Sequence, residues 1–502
     1  MRRGWMGVLA LMIALGGGHG AAAQPQASAG RAPKPVTVTL VHLNDVYEVL
    51  PVEGGKSGGL ARVATVIQHL KKTGSPLLTT LGGDYLSPSA LGTAIVDGKP
   101  IAGRHMVDVL NATGVDWATF GNHEFDVSEA AFRAHLAQAK FRLVSSNVTD
   151  ASGQPFPGVP TSAIVPVKAA GRTVRIGFIG VTIDANRKGW VRYRDAIETA
   201  RAEVEKLRGR TDAIVALTHL SLAQDAEFVD AVPGIDLVLG GHEHENWLMY
   251  RGKQFVPIVK ADANVRSLAI VTLTFGAPGA RPVVAVRLQP IDDTIAAAPA
   301  VDAVAKQWVE RGFEAFRRQG FTPEAVVATS TEPLDGREST VRNRPGRLTD
   351  LIAAAIAHEA GTVDVAIFNG GSIRIDDVLP PGPITEYDII RVMPFGGKTV
   401  RASFDGELLA RVLETGMNNE GLGGYLQTRG ARRDNGVWLV QGKPIEPSRR
   451  YTVALNDFLL TGAETNLGYL TRTSPQVHDV VELRDIRRVV IEELARTYPA
   501  KK

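Results

Sequence analysis

The sequence predicts an α/β protein of two layered domains, and three observations carry that prediction. Between residues 35 and 290, short apolar or alternating runs alternate with helical patterns, the arrangement of a layered α/β domain. Five of these runs stop abruptly at Asp, Asn or His, mostly beside glycine. A second series of strand-to-loop junctions follows a helical pattern at 302–318.

The first residues stand apart from this pattern. Arg2-Arg3 precede an apolar run from Trp5 to Leu15, then Gly16–Gly18 and Ala21-Ala22-Ala23 before Gln24. That is the layout of a cleaved secretory signal over 1–23. The run falls short of the ~20 residues needed to span a bilayer. With no cysteine in the chain, lipid attachment there is excluded. The expectation is an exported protein, periplasmic or secreted, with no stable membrane insertion. Residues 24–34, rich in Ala, Gly and Pro, read as a flexible lead-in.

Composition narrows the chemistry. The 502 residues are 44% hydrophobic and 22% charged, which excludes a disordered or collagen-like chain. The absence of cysteine excludes thiolate metal sites, iron–sulfur clusters and a cysteine nucleophile. Without residues 1–23 the balance is 54 Lys+Arg against 53 Asp+Glu. No whole-protein attraction to a nucleic acid polymer follows. The sequence says nothing of oligomeric state.

The elements of the first domain, 35–295, follow in order. Residues 36–43 alternate as a strand and stop at Asn44-Asp45; a helix spans 60–72. The strand at 76–81 stops at Gly82-Gly83-Asp84, and that at 116–120 at Gly121-Asn122-His123-Glu124. A helix at 194–208 precedes the strand at 212–217, which ends at Thr218-His219. The strand at 235–239 ends at Gly240-Gly241-His242-Glu243-His244. One Asp after a strand is ordinarily a turn residue. Five such ends point to one place, because α/β sheets bind ligands outside the carboxyl ends of their strands.

Asp45, Asp84, Asn122, His219, His242 and His244 form a nitrogen–oxygen donor set. It suits Mn²⁺ or Zn²⁺, with Fe as a further option, rather than a dedicated Ca²⁺ site. Six donors exceed one Zn²⁺ but serve two divalent ions that share a carboxylate.

These motifs, through Gly121-Asn122-His123-Glu124-Phe125-Asp126 and Gly241-His242-Glu243-His244, resemble those of the calcineurin-like metallophosphoesterases. The resemblance implies a layered sandwich of sheets flanked by helices. It implies that Asp84 bridges two ions, with Asp45 and His244 on one and Asn122, His219 and His242 on the other. It further implies that His123 contacts the scissile phosphate or protonates the leaving oxygen while Asp126 orients it. One position departs: the family's Asp-x-His is here Asp45-Val46-Tyr47. Tyr47 then ligates as a phenolate, stands back from a water, or marks a weak first ion. Glu48 is a further inward-reaching option.

The helical pattern at 302–318 lies in a linker at 296–320, and a second α/β domain follows over 321–502. Its junctions are Asn369-Gly370-Gly371-Ser372-Ile373-Arg374, Pro394-Phe395-Gly396-Gly397 and Asn456-Asp457-Phe458. A Gly-Gly turn beside an arginine offers N–H groups and a guanidinium to an anion. Two loop aromatics suit a flat group. Together these motifs resemble the C-terminal substrate-binding domain of the 5′-nucleotidase family, so the resemblance covers about 36–470. It implies that Asn369 and Arg374 hold substrate, that Phe395 and Phe458 stack the base, and that this domain rotates toward the metals. Gly370 and Gly371 are candidate anion donors, and Asn122 a candidate phosphoryl contact. Two departures stand out: an arginine-rich segment, Arg342 to Leu348, and Glu464 where an Asp is expected. Arg337, Arg342, Arg344 and Arg347 either widen the anion site or form a solvated face.

The expected activity is hydrolysis of a phosphate from a small nucleotide by metal-activated water. The alternatives are a 2′,3′-cyclic-nucleotide phosphodiesterase with 3′-nucleotidase activity, a nucleotide-sugar pyrophosphatase, and a nucleotide-binding protein with a disabled metal site.

Overall fold

The computed structural model describes residues 34–500. The secretory signal and all of the lead-in except Lys34 lie outside the described residues. Among the described residues no helix is long and apolar enough to cross a membrane.

Two six-stranded sheets form the centre of the first domain. In one, the order is Val283–Pro290, Ser267–Phe275, Val36–Leu43, Leu77–Leu81, Trp117–Ala118 and Arg142–Leu143. In the other it is Trp247–Arg251, Val256–Lys260, Leu237–Gly240, Ala213–His219, Arg172–Thr182 and Ser162–Ala169. Val38 and Leu40 of the first sheet share one buried cluster with Phe178, Val215 and Leu237 of the second, so the sheets pack face to face. Helices Leu60–Lys71 and Arg104–Thr113 cover one outer face, and Ala196–Leu207 with Leu222–Ala231 the other. These strands read as near-continuous apolar runs because they are covered on both sides.

The ligand-bearing strands run parallel within each sheet: Val36–Leu43 with Leu77–Leu81 and Trp117–Ala118, and Ala213–His219 with Leu237–Gly240. Their carboxyl ends therefore emerge at one edge. Cross-sheet bonds seal that edge: His42 Nε2 is 3.0 Å from Gly240 O, and His219 Nδ1 is 2.7 Å from Gly82 O.

The helix between the domains runs Pro299–Arg318. Proline in its first turn, Asp302 near its start and Arg317-Arg318 at its end suit its polarity. It is not a free-standing spacer. Val301, Ala305, Trp308 and Phe316 are buried in the first domain's helical cluster, and Trp308 Nε1 donates to Asp108 Oδ2 at 3.1 Å. Gly320 follows it with φ +82°, a left-handed turn that glycine adopts readily.

The second domain has a five-stranded sheet in the order Leu426–Arg429, Val365–Asn369, Arg450–Asn456, Lys398–Asp405 and Val477–Asp485. Helices Arg347–Ala360 and Ile486–Thr497 pack on one face, and Gly406–Asn418 on the other. Val365–Asn369 and Arg450–Asn456 are parallel neighbours, which places Asn369 beside Asn456.

Candidate metal and substrate site

Three side chains of the predicted donor set sit on left-handed backbone: Asp45 (φ +52°), Asp84 (φ +55°) and His242 (φ +77°). Such a conformation in a non-glycine residue costs energy and persists where the surroundings enforce it. Here close loop packing enforces it. A Cβ at Gly121 would lie 2.1 Å from Asp84 Oδ1, and one at Gly241 2.3 Å from Gly82 O. Glycine is required at both.

Two buried charged residues that had no assigned role hold these loops. The Glu124 carboxylate accepts from the N–H groups of Asp84 (2.9 Å), Tyr85 (2.7 Å), Leu86 (3.2 Å) and Gly121. Burial, and then the neighbouring Asp84, push its pKa up to about 7. Lys260 is fully buried; its Nζ donates to Leu220 O at 2.6 Å and Gly241 O at 2.7 Å, and lies 2.9 Å from Asp225 Oδ2. It ties the loop after His219 to the loop before His242. The only sequence signal for it is a lysine ending an apolar strand.

Asp45, Asp84 and His219 come together, with one donor atom from each within 4.8 Å of the others. Because His219 Nδ1 is engaged by Gly82 O, its Nε2 faces Asp84 Oδ2 at 3.1 Å and Asp45 Oδ1 at 3.9 Å. Asn122 Oδ1 is buried without a hydrogen-bond partner. Such an orphan calls for an explanation, and a cation fits it. His242 lies beside His219, ring centroids 5.3 Å apart. Asp45 Oδ2 accepts from Asn44 Nδ2 (2.8 Å) and His242 N (2.9 Å).

Tyr47 points into the cluster. Its hydroxyl lies 3.3 Å from Asp45 Oδ1, 3.2 Å from Asp84 Oδ2 and 3.2 Å from His244 Nε2. Burial, then the two carboxylates, hold its phenol well above the usual range, so a cation is needed to balance a phenolate there. Glu48 does not reach inward. Next to Tyr47 on the chain, it turns to Arg391, whose Nε is 3.1 Å from Glu48 Oε1.

The carboxylates of the cluster favour positive charge on two of its three imidazoles. Burial disfavours the charged form of His219, but Asp84 and Asp45 outweigh it and raise its pKa to about 9. Burial likewise opposes the charge on His244, yet Asp376 and Glu338 raise it to about 10. His242, with burial and the nearby His219 against it, falls to about 3.

His123 stands at the rim. Its Nδ1 is 2.6 Å from Asp126 Oδ2, and Asn186 Nδ2 donates to Asp126 Oδ1 at 3.0 Å. Asn186 carried no sequence signal. Arg374 of the second domain brings Nη2 within 3.1 Å of His123 Nε2.

The second domain's Gly-Gly turn is used differently from expectation. Gly370 N donates to Tyr425 O and Gly371 N to Gly423 O, both at 2.7 Å. Their N–H groups are thus committed, and they are not anion donors. Asn369 is also engaged: its Nδ2 donates to Glu464, and its Oδ1 accepts from Ser372 Oγ and Asn456 Nδ2. It frames the pocket wall, with Glu464 closing the loop. Arg337, Arg342 and Arg347 pair with Asp335, Glu338 and Glu332, which removes them from a widened anion site.

Between the domains lies a cavity of about 760 Å³, lined by Asp126, Asn186, Lys188, Phe395, Phe458 and Arg472 among others. Phe395 is 60% exposed and Phe458 42%. Both rings line this cavity.

Residues 38–246 match the family model described as calcineurin-like phosphoesterase, and residues 326–469 that of the 5′-nucleotidase C-terminal domain. The chain is 26% identical to a snake venom 5′-nucleotidase of Naja atra, over 92% of this chain and 97% of that one. It is 26% identical to protein UshA of Yersinia enterocolitica, over 86% of each. The crystal structure of a 5′-nucleotidase precursor from Thermus thermophilus has the same fold, with a TM-score of 0.75 at 24% identity, covering 93% of this chain and 97% of that one.

Proposed function

Because the chain belongs to the calcineurin-like phosphoesterases that carry a 5′-nucleotidase C-terminal domain, and is on that account a metal-dependent phosphoester hydrolase, we propose that it is an exported 5′-nucleotidase-like enzyme that uses two divalent ions to remove phosphate from nucleotides. One observation carries the nucleotide reading. The cavity that holds the exposed pair Phe395 and Phe458 also reaches Asp126, the partner of His123. A base held at these rings would share one cavity with the partner of His123.

Asp84 would bridge the ions. Asn122, His219 and His242 would hold one, and Asp45 and His244 the other. Tyr47 would complete this latter group, the first metal site. Its oxygen lies 3.2–3.3 Å from three donor atoms, and Asp45 Oδ1 lies 3.6 Å from His244 Nε2. Ligands about 2.0–2.1 Å from a tetrahedral ion stand about 3.3–3.4 Å from one another. This group of three oxygens and one nitrogen suits Mn²⁺, Zn²⁺ or Fe. When bound, the ions acidify a water and neutralise phosphoryl charge.

The chain's own residues do the rest. Asp126 accepts the Nδ1 proton of His123 and fixes the ring, leaving Nε2 toward the reacting group. Once Nε2 carries a proton and no longer accepts from Arg374, His123 would supply that proton to the departing alkoxide. Arg374 brings a fixed positive charge to the same spot, where charge builds on the phosphoryl oxygens. Phe395 and Phe458 position the remote part of the substrate, and binding energy there goes into orientation at phosphorus.

The test is a panel of 5′- and 3′-nucleotides, 2′,3′-cyclic AMP, UDP-glucose and an aryl phosphate, run on chelator-stripped protein reloaded with Mn²⁺, Zn²⁺, Fe²⁺ or Mg²⁺. Preferred release of phosphate from 5′-nucleotides supports the proposal. Preference for a cyclic nucleotide or UDP-glucose moves the substrate class, and silence with every ion marks a binding protein.

A further inference from the structure

His244 is held from the other domain. Its Nδ1 lies 2.7 Å from Asp376 Oδ2, while its Nε2 faces Tyr47 and Asp45. Asp376 belongs to the second domain, two residues beyond Arg374. Its other oxygen accepts the Glu338 N–H at 2.9 Å, so both oxygens are used. Asp376 is 5% exposed and lies on left-handed backbone at φ +39°. The surrounding contacts therefore hold it against an unfavourable local conformation. Of the donor residues, Asp45, Asp84, Asn122, His219 and His242 have all the contacts described above from within the first domain.

From this geometry we infer that Asp376 is a positioning residue for the first metal site, so that the second domain completes that site when it docks. The inference rests on the two-ion reading. A carboxylate on the far ring nitrogen fixes the tautomer and the orientation of a ligating imidazole, and its loss typically weakens metal binding about 10–100-fold. Here that carboxylate arrives with the domain that bears Arg374, Phe395 and Phe458. Binding reciprocity follows: if docking tightens the ion, the ion equally favours docking. The second ion, on Asn122, His219 and His242, has no such dependence.

The experiment is calorimetric titration of the stripped full chain with Mn²⁺, with the ions bound counted by elemental analysis. The wild type takes two ions. Asp376→Ala weakens one of them about 10–100-fold and leaves the other unchanged. Asp376→Asn keeps an oxygen acceptor for Nδ1 and restores most of the loss; that separates positioning from a general packing defect and serves where the alanine variant melts early. Adding Asp376→Ala to His244→Ala produces no further loss, because the route runs through His244. Unchanged affinities in Asp376→Ala overturn the inference. So do equal weakening of both ions, or additive losses in the double variant. One ion in the wild type counts against the two-ion reading alone. In that case the inference stands if the affinity of that ion responds to Asp376, and falls if it does not.

Discussion

Arg374 and His123 meet across the domain boundary: Nη2 of one lies 3.1 Å from Nε2 of the other, and they stand 251 positions apart in sequence. A guanidinium only donates, so His123 Nε2 accepts there, and its proton sits on Nδ1 toward Asp126. The two groups converge on one spot at the rim of the donor cluster. His123→Ala should lower kcat by about 10²–10⁴-fold with little change in KM. Arg374→Ala should lower kcat/KM, and Arg374→Lys should restore it poorly, because the planar fork is lost. Steady-state kinetics on a 5′-nucleotide checks both; a fully active His123→Ala removes the assignment.

The aromatic pair gives a prediction about selectivity. Loss of base stacking costs about 1–3 kcal/mol per ring. Phe395→Ala and Phe458→Ala should each raise KM for a 5′-nucleotide accordingly, leaving hydrolysis of an aryl phosphate nearly unchanged. Equal losses on both substrates would show that these rings serve the fold rather than the base.

The buried Lys260 makes the site's scaffold testable apart from its chemistry. Lys260→Met leaves Asp225 buried without its partner and frees the carbonyls of Leu220 and Gly241. Breaking one side of such a pair costs about 3–5 kcal/mol. Urea unfolding should show that loss, with weakened metal retention. Lys260→Met combined with Asp225→Leu should recover part of the stability, since no lone charge remains.

The imidazoles predict a pH signature. In the ion-free protein His219 titrates near 9 and His244 near 10, both above the usual histidine value of 6.5. A raised folded-state pKa contributes stability that is complete below the unfolded value and is lost as pH rises through the folded one. Ion-free protein should therefore melt at lower temperature at pH 10 than at pH 7. Ligation needs the two neutral rings and the Tyr47 phenolate, so loading at pH 7.5 should release about three protons, and affinity should climb with pH toward 9–10. Titration in buffers of different ionisation enthalpy measures that release, and none at all would contradict the assignment.

Much of the donor cluster was legible because each donor directly follows an apolar strand, and parallel strands bring their ends to one edge. Asp45, Asp84 and His219 needed only that rule. The contacts that hold the cluster obey no local pattern. Lys260 looks like an ordinary strand end, and Asn186 like a loop residue; each gains meaning from partners 19–63 positions away. Gly370 and Gly371 misled for a similar reason. Their N–H groups face carbonyls at 423 and 425, a pairing that no short window contains. The sequence leaves Tyr47 open among three readings, and the position of its hydroxyl between two carboxylates and an imidazole depends on residues 37 to 197 positions away.

The close approach of Gly83, Gly121 and Gly241 to neighbouring backbone and donor atoms has a consequence for redesign. Where a Cβ would strike main chain, no library of side chains can reshape the inner wall of the reaction centre. The surfaces open to variation lie at Phe395, Phe458 and their loops. Changing which molecule is accepted is thus a problem for those loops, while Arg374 and Asp376 tie the rest of the second domain to how it is cut.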